Sequence, residues 1–374
     1  MGFPLCPSAP LPLCLFADAP GLIISGNNKT RVFFAANSDG SQGINFTLRN
    51  VTVKDAFIST DMGAAIDLRD GGSLTLENDK FLNNVSPAGA IAARHKTTVN
   101  VINSKFDSND AAQYSKVEDA TPTGGAISVL DDSSLTVKDC EFTNNKGTLG
   151  GAIGTVFTET IIDHSSFLNN SSKGFGGGLY VDGASRPTQA RYSPSPVDGP
   201  GRQVIVRNHS LFQGNHATGF GGGIAVWGYD HDFVTIADST IINNEVTADS
   251  VDGAKGGGVK LSGFINIKNS TISNNKSAQD GGGLWYDGGV DTKIESSTLS
   301  GNKAGNTGGT GKGGAIFSAQ WDSTTNINNS NFNDNYAGND GGAIFQDNMP
   351  LVVVSSNFNN NTPRNTAQGS NAKK

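Results

Sequence analysis

The feature that most limits what this chain can fold into is a short unit that recurs along nearly its whole length. Between Asn328 and Asn361 it reads Asn-Asn-Ser-Asn-Phe332-Asn-Asp-Asn335, a polar link, Gly341-Gly-Ala-Ile344-Phe, a second link, and then Leu351-Val-Val353-Val-Ser-Ser-Asn-Phe358-Asn-Asn-Asn361. One pass takes roughly 25 residues, inside the period range of solenoids. The Phe-x-x-Asn element recurs at Phe81/Asn84, Phe106/Asn109, Phe142/Asn145, Phe167/Asn170 and Phe212/Asn215, with Ile or Leu for Phe at Ile241/Asn244, Ile272/Asn275 and Leu299/Asn302. The glycine element recurs at Gly124, Gly150, Gly176, Gly221, Gly256, Gly281, Gly313 and Gly341, with weaker copies at Gly63 and Gly89.

Before each Phe-x-x-Asn lies a period-two run such as Leu74-Thr-Leu76, Val99-Asn-Val101, Leu135-Thr-Val137, Val234-Thr-Ile236 or Ile265-Asn-Ile267. Alternation of β-branched residues bounded by Gly and Asn marks a strand. A short strand with one apolar face cannot bury that face alone, and stacking successive repeats buries all of them in one column. The expected fold is therefore all-β: a right-handed, single-stranded parallel β-helix of roughly eleven coils, since parallel crossovers favour that hand. Each Phe should stack on the Phe of the next coil and each Asn should bond its copy one rung on. The coils are expected over 23–361, with degenerate first copies from Ile23 to Val53. Loop insertions are expected near 111–123, 183–202, 247–255 and 303–312, with a shorter one at 228–232. Residues 1–22 form an apolar, Pro-rich segment, read as a cap over the first coil; the alternative, a secretory signal, lacks a basic start. Residues 362–374 form a polar tail without an apolar cap, so the expectation is that the chain continues or that something else covers the last coil.

A net charge of -7 argues against nucleic acid as a partner, because phosphate binding needs a basic patch. The lack of an apolar run near twenty residues argues against a membrane-spanning helix. Of the three cysteines, Cys6 and Cys14 can pair if the chain is exported, and Cys140 falls in the small-residue column of Ser239, Ser270 and Ser330, where it reads as a buried side chain. The five histidines show no ligand spacing, so no metal or cofactor is expected. About eleven Asn-x-Ser/Thr triplets occur, among them Asn28, Asn45, Asn84, Asn208, Asn269 and Asn275, a slight excess over chance.

Candidate sites are few. The residue after each Gly-Gly-x-apolar element is expected to point outward, giving Tyr180, Trp285, Phe317 and Phe345. Two residues further, also outward, come Asp182, Trp227, Asp287 and Asp347. Rings beside carboxylates on a rigid face can stack on sugars and bond their hydroxyls; the competing reading is that loops fold over the rings and bury them. The run Trp227-Gly-Tyr229-Asp230-His231-Asp232 holds the densest local chemistry, yet reads better as a packed corner than as an acid–base site. Gly305 to Gly314 superficially suggests a phosphate loop, but Asn306 and Gly313 replace required residues. Asp67/Arg69 and Asp131/Asp132 lie on nearby coils without repeating the converging carboxylates that β-helix lyases and hydrolases use.

The alternating Gly-Gly-Ala-Ile and Phe-x-x-Asn elements, over roughly Gly63 to Asn361, resemble the repeats of the chlamydial polymorphic outer-membrane proteins and of other surface proteins with right-handed β-helix repeats. That resemblance implies an exported passenger region implicated in adhesion and followed by a membrane β-barrel, with no catalytic residues to carry over. The expected role is an extracellular or cell-surface adhesive or structural rod, non-enzymatic, with glycans or neighbouring surface proteins as partners, or with end-to-end or lateral self-association into a filament. The rival expectation is a polysaccharide-degrading lyase or hydrolase on the same scaffold.

Overall fold

The computed structural model describes residues 14–36, 43–113, 123–185, 202–229, 232–247, 253–288, 291–305, 309–320, 323–347 and 349–368. Among these every regular element is a strand, and every pairing between strands is parallel and joins one coil to the next. The glycine elements open a 12-stranded sheet, in which Ile66, Ile91, Ile127, Ile153, Leu179 and Ile224 lie directly over one another, and the file continues to Ile344. The period-two runs and the Phe-x-x-Asn elements form a 22-stranded sheet to which each full coil gives two strands. The sequence repeat and the coil are thus one object, in the register the motifs require.

Three internal files hold the stack. Phe81, Phe106, Phe142, Phe167 and Phe212 are fully buried, and their rings lie parallel with centroids 4.9, 4.8, 4.7 and 4.3 Å apart. Aliphatic Ile241, Ile272 and Leu299 continue the file before Phe332 and Phe358 resume it at 4.8 Å. The second file is the asparagine ladder. Each buried Asn gives one Nδ2 hydrogen to the Oδ1 of its copy one coil on, as from Asn109 to Asn145 at 2.9 Å and from Asn145 to Asn170 at 2.9 Å. The same Nδ2 also donates to a carbonyl of the preceding coil, Asn109 to Phe81 at 3.0 Å, and each Oδ1 accepts a backbone N–H besides. Every polar atom of these amides is paired, as burial demands. The ladder closes at Asn361, whose Nδ2 meets Asn365 Oδ1 at 3.1 Å. Three of its members, Asn84, Asn170 and Asn275, head Asn-x-Ser/Thr triplets. Their amides are committed inside the coil and inaccessible to glycosylation in the folded state.

The third file is Asp79, Ser104, Cys140 and Ser165, whose side chains accept the backbone N–H of the residue one coil back, as in Cys140 N to Ser165 Oγ at 3.0 Å. Cys140 occupies the serine column as expected, and burial pushes its thiol up to about 12, so it is an inert packing group. At Asp79 the column holds a carboxyl. Burial drives it upward, bonds from Val51 N and Glu77 N pull it down, and it settles at about 6. Between its ordinary value of 3.8 and about 6 the folded protein keeps a proton that the unfolded chain has released. This contribution is therefore greatest at acid pH and is lost as pH rises through about 6. Asp79→Asn should remove a stability difference of about 2 kcal/mol between pH 4 and pH 8 relative to wild type. Denaturant midpoints at the two pH values measure it, and parallel pH profiles for the two proteins would contradict it.

The polar link after each Asn contributes two-residue strands such as Lys146–Gly147, Ser171–Ser172 and His216–Ala217 to a 7-stranded third sheet. Two residues are too few to show alternation. The corner before it is made by the residue preceding the ladder Asn, which takes a left-handed conformation at Asn83, Asn144, Asn169 and Asn243. The two glycines of the next corner differ in their reasons. Gly176 sits at φ +63°, whereas a Cβ on Gly177 would lie 2.1 Å from the Gly222 carbonyl oxygen of the next coil. The first described strand, Cys14–Ser25, already pairs with Ile44–Lys54, so coiling starts inside the segment expected to be a cap. Cys6 and the greater part of the insertions at 111–123 and 183–202 lie outside the described residues, as do 248–252 and 306–308 of the other two.

Candidate functional site

Alternation along the 12-stranded sheet sends Leu179 and Val181 inward and Tyr180 and Asp182 outward, with the same division in each later coil. The expected column does leave the coil interior, but it is not exposed. Tyr180 is 3% exposed, Trp285 8%, Phe317 9% and Phe345 5%. This corrects the expectation of an open aromatic face. The rings fall one rung apart and cover each other, Trp285 over Phe317 at 6.4 Å and Phe317 over Phe345 at 5.2 Å. Side chains from the preceding corners close over them. Phe175 and Phe220 lie 5.0 and 5.5 Å from the Trp227 ring, and Lys312 sets its ammonium 4.5 Å above Phe345. Trp227, Asp182 and Asp287 remain half-exposed.

In the middle of this band stands Lys260, 1% exposed. Its Nζ sits 3.8 Å over the Trp227 ring, donates to Ser262 Oγ at 2.7 Å and lies 3.3 Å from Asp287 Oδ1. A buried ammonium is tolerable when a ring face and a carboxylate replace its water. The indole N–H of Trp285 is buried without a partner. The band is a second, external core that includes a salt bridge, and its chemistry is cohesive.

The Trp227–Asp232 run is a staple. Asp232, fully buried, accepts Tyr229 N at 2.9 Å, Ala184 N at 3.0 Å and the Ser185 hydroxyl, while the Tyr229 hydroxyl donates to Asp182 at 2.8 Å. Burial raises its carboxyl, and these bonds oppose the rise. The staple ties residues 184–185 to Tyr229 and Asp232 one coil on. Asp230 and His231 of the same run lie outside the described residues.

Asp67 and Arg69 belong to a denser cluster than their sequence spacing indicates. Asp67 is fully buried on the outer side of the sheet, with Arg69 at 2.6 Å, Arg94 at 3.3 Å and Arg31 at 3.5 Å. Asp61 faces the same three guanidiniums. Burial raises its carboxyl, but the bonds from Arg31 and the Met62 N–H and the charges of Arg31 and Arg69 prevail, and it falls to about 2. A carboxyl held that low is a poor proton acceptor at neutral pH. Asp131 lies 3.4 Å from His95 at an exposed corner and does not join this cluster. Among the described residues no three His, Cys, Asp or Glu side chains are grouped to hold a metal ion, and no helix is long and apolar enough to cross a membrane.

A sequence family described as the right-handed β-helix region matches residues 21–248, more than half of the chain. The chain belongs to this family. The hand of the β-helix is therefore right, as the crossover argument predicts. No curated protein and no solved structure matches the chain.

One surface feature of the β-helix escaped the motif reading. Phe233 is 48% exposed, and its ring stacks on that of Phe264 one coil on, centroids 5.1 Å apart and planes at 19°. Both open strands of the 22-stranded sheet, and both face out because Val234 and Ile265 face in. Two residues on, on the same outer face, stand Thr235 and Asn266, and Asn266 Oδ1 is unpartnered. The signal is present in the alternation itself. Whatever precedes an inward Val or Ile must face solvent, and here it is aromatic in two successive coils.

Proposed function

We propose that this β-helix is an extracellular or cell-surface, non-enzymatic adhesive rod that binds glycans on the Phe233–Phe264 platform. The observation that carries this reading is the stacked ring pair, Phe233 exposed and Phe264 half-buried, on the outer face of the sheet. Two stacked, solvent-facing rings leave apolar surface in water without serving the core. The C–H face of a pyranose covers such rings, while the half-exposed Thr235 hydroxyl accepts or donates a bond to its hydroxyls. The resemblance to exported adhesive passengers supports the location and the role. The rival reading, a polysaccharide-degrading enzyme, loses support because the dense carboxylate cluster found among the described residues, Asp61 with Asp67, is locked by three guanidiniums.

Affinity electrophoresis against a panel of neutral and acidic polysaccharides tests this. Wild type should be retarded by at least one, and Phe233→Ala/Phe264→Ala should lose the retardation by more than about tenfold with an unchanged thermal midpoint, since neither ring is core. Equal retardation of the two proteins, or release of reducing ends by wild type, would overturn the proposal.

A further inference from the structure

The second arm of the 22-stranded sheet carries a different surface. In its last five coils the outward residues at the start of each short strand are Thr240, Thr271, Thr298, Asn331 and Asn357, in direct register. Two residues on, Ile242, Ser273, Ser300, Asn333 and Asn359 form a second file beside the first, polar from Ser273 onward. None of these side chains is charged. In the first coils of the same arm the file is charged instead, with Lys80, Lys105 and Glu141, and Lys105 pairs with Glu141 at 2.7 Å; Ser166 and Leu211 lie between the two parts.

The C-terminal grid is ordered before anything binds it. Asn357 Nδ2 donates to Asn331 Oδ1 at 3.0 Å, Asn359 to Asn333 at 2.9 Å, and the Ser273 and Ser300 hydroxyls bond at 2.9 Å. Side chains tied to their copies lose little rotamer freedom on binding. The grid repeats in two directions, about 4.8 Å from rung to rung and about 6.7 Å from i to i+2 along a strand. A single sugar chain repeats in only one direction, and a globular partner does not repeat at all.

We propose that this face binds ice. A rigid, uncharged plane of hydroxyls, amides and threonine methyls, periodic in both directions, can hold a layer of water in a lattice and merge it with the oxygen lattice of an ice face. Charged side chains order their own hydration shells and break such a layer, which separates this part of the arm from the part bearing Lys80 and Lys105. The missing aromatic rings distinguish the grid from a crystalline-polysaccharide surface and from the Phe233–Phe264 platform, so the inference stands apart from the glycan reading.

The test is ice-recrystallisation inhibition and single-crystal ice shaping by the full chain, against Thr271→Lys/Thr298→Lys. Lysine already occupies this file at Lys80 and Lys105, so the fold accommodates the change, and circular dichroism with a thermal melt verifies it. Thr271→Val/Thr298→Val, which keeps shape and neutrality, serves as a second variant. Wild type should inhibit recrystallisation and facet ice crystals. The lysine variant should need at least tenfold more protein for the same effect, and the valine variant should fall between them. Wild type indistinguishable from an unrelated protein, equal activity in the folded lysine variant, or adsorption to crystalline cellulose with no effect on ice would each overturn the proposal.

Discussion

Asn215→Ala should destabilise the protein by about 4 kcal/mol, far more than an average point substitution. The Asn215 Oδ1 accepts both the backbone N–H and the Nδ2 of Asn170 at 3.0 Å, and its own Nδ2 donates to Phe167 O and to Asn244 Oδ1 at 2.9 Å. Alanine therefore strands two buried donors on Asn170 and removes a bond from Phe167 O and one of the two accepted by Asn244 Oδ1, which keeps the Asn215 N–H at 2.9 Å, in a column that water does not reach. Leaving a buried polar group unpaired costs about 1 to 3 kcal/mol, and ladder relaxation recovers only part of this. Asn359→Ala is the control. It sits in an exposed ladder and gives up one bond to Asn333, so its cost should stay below about 1 kcal/mol. Denaturant midpoints compare the two directly. Similar small effects would mean that the internal ladder contributes no more than surface pairing.

Gly177→Ala should be severely destabilising, by more than about 4 kcal/mol or to complete loss of folding. The added Cβ would fall 2.1 Å from Gly222 O and 2.6 Å from His216 N. Those atoms are backbone of the next coil, fixed by Gly177 N to Gly221 O at 3.2 Å and Gly178 N to Gly223 O at 2.8 Å. Relief would require separating two coils and breaking their bonds. Gly21→Ala isolates the other use of glycine. At φ +79° with no atom within 4 Å of the added carbon, it should cost only the left-handed strain, about 1 kcal/mol. Soluble expression and thermal melting of both variants provide the comparison. A folded Gly177→Ala with a near-native midpoint would show that the coils are less closely spaced than described.

The fold was legible because the stack is an internal crystal of side chains. Residues that must match their own copies one rung away, such as Phe142 or Asn145, repeat visibly in the sequence. The two-residue third sheet was not legible, since Lys146–Gly147 is too short to show a period. The left-handed corner before it is written in the Asn-Asn pairs, whose first member takes the strain and whose second enters the ladder. Alternation correctly sent Tyr180, Trp285, Phe317 and Phe345 out of the coil. Alternation has no term for neighbouring corners that fold over a face, and Phe175, Phe220 and Lys255 do so here. The cluster around Asp67 gathers Arg31, Arg69 and Arg94 from three coils, a convergence that only the register reveals. Phe233 and Phe264 were within reach of the same alternation but sit outside both motifs.

The most direct test of the account is diffraction from crystals of the full chain at a resolution that places side-chain amides. The expected result is one unbroken file from Asn84 to Asn361, each Nδ2 about 2.9 Å from the next Oδ1, beside a parallel file of rings from Phe81 to Phe212. Asparagines dispersed to different corners, or coils offset by one residue so that Phe lies over a polar neighbour, would contradict it.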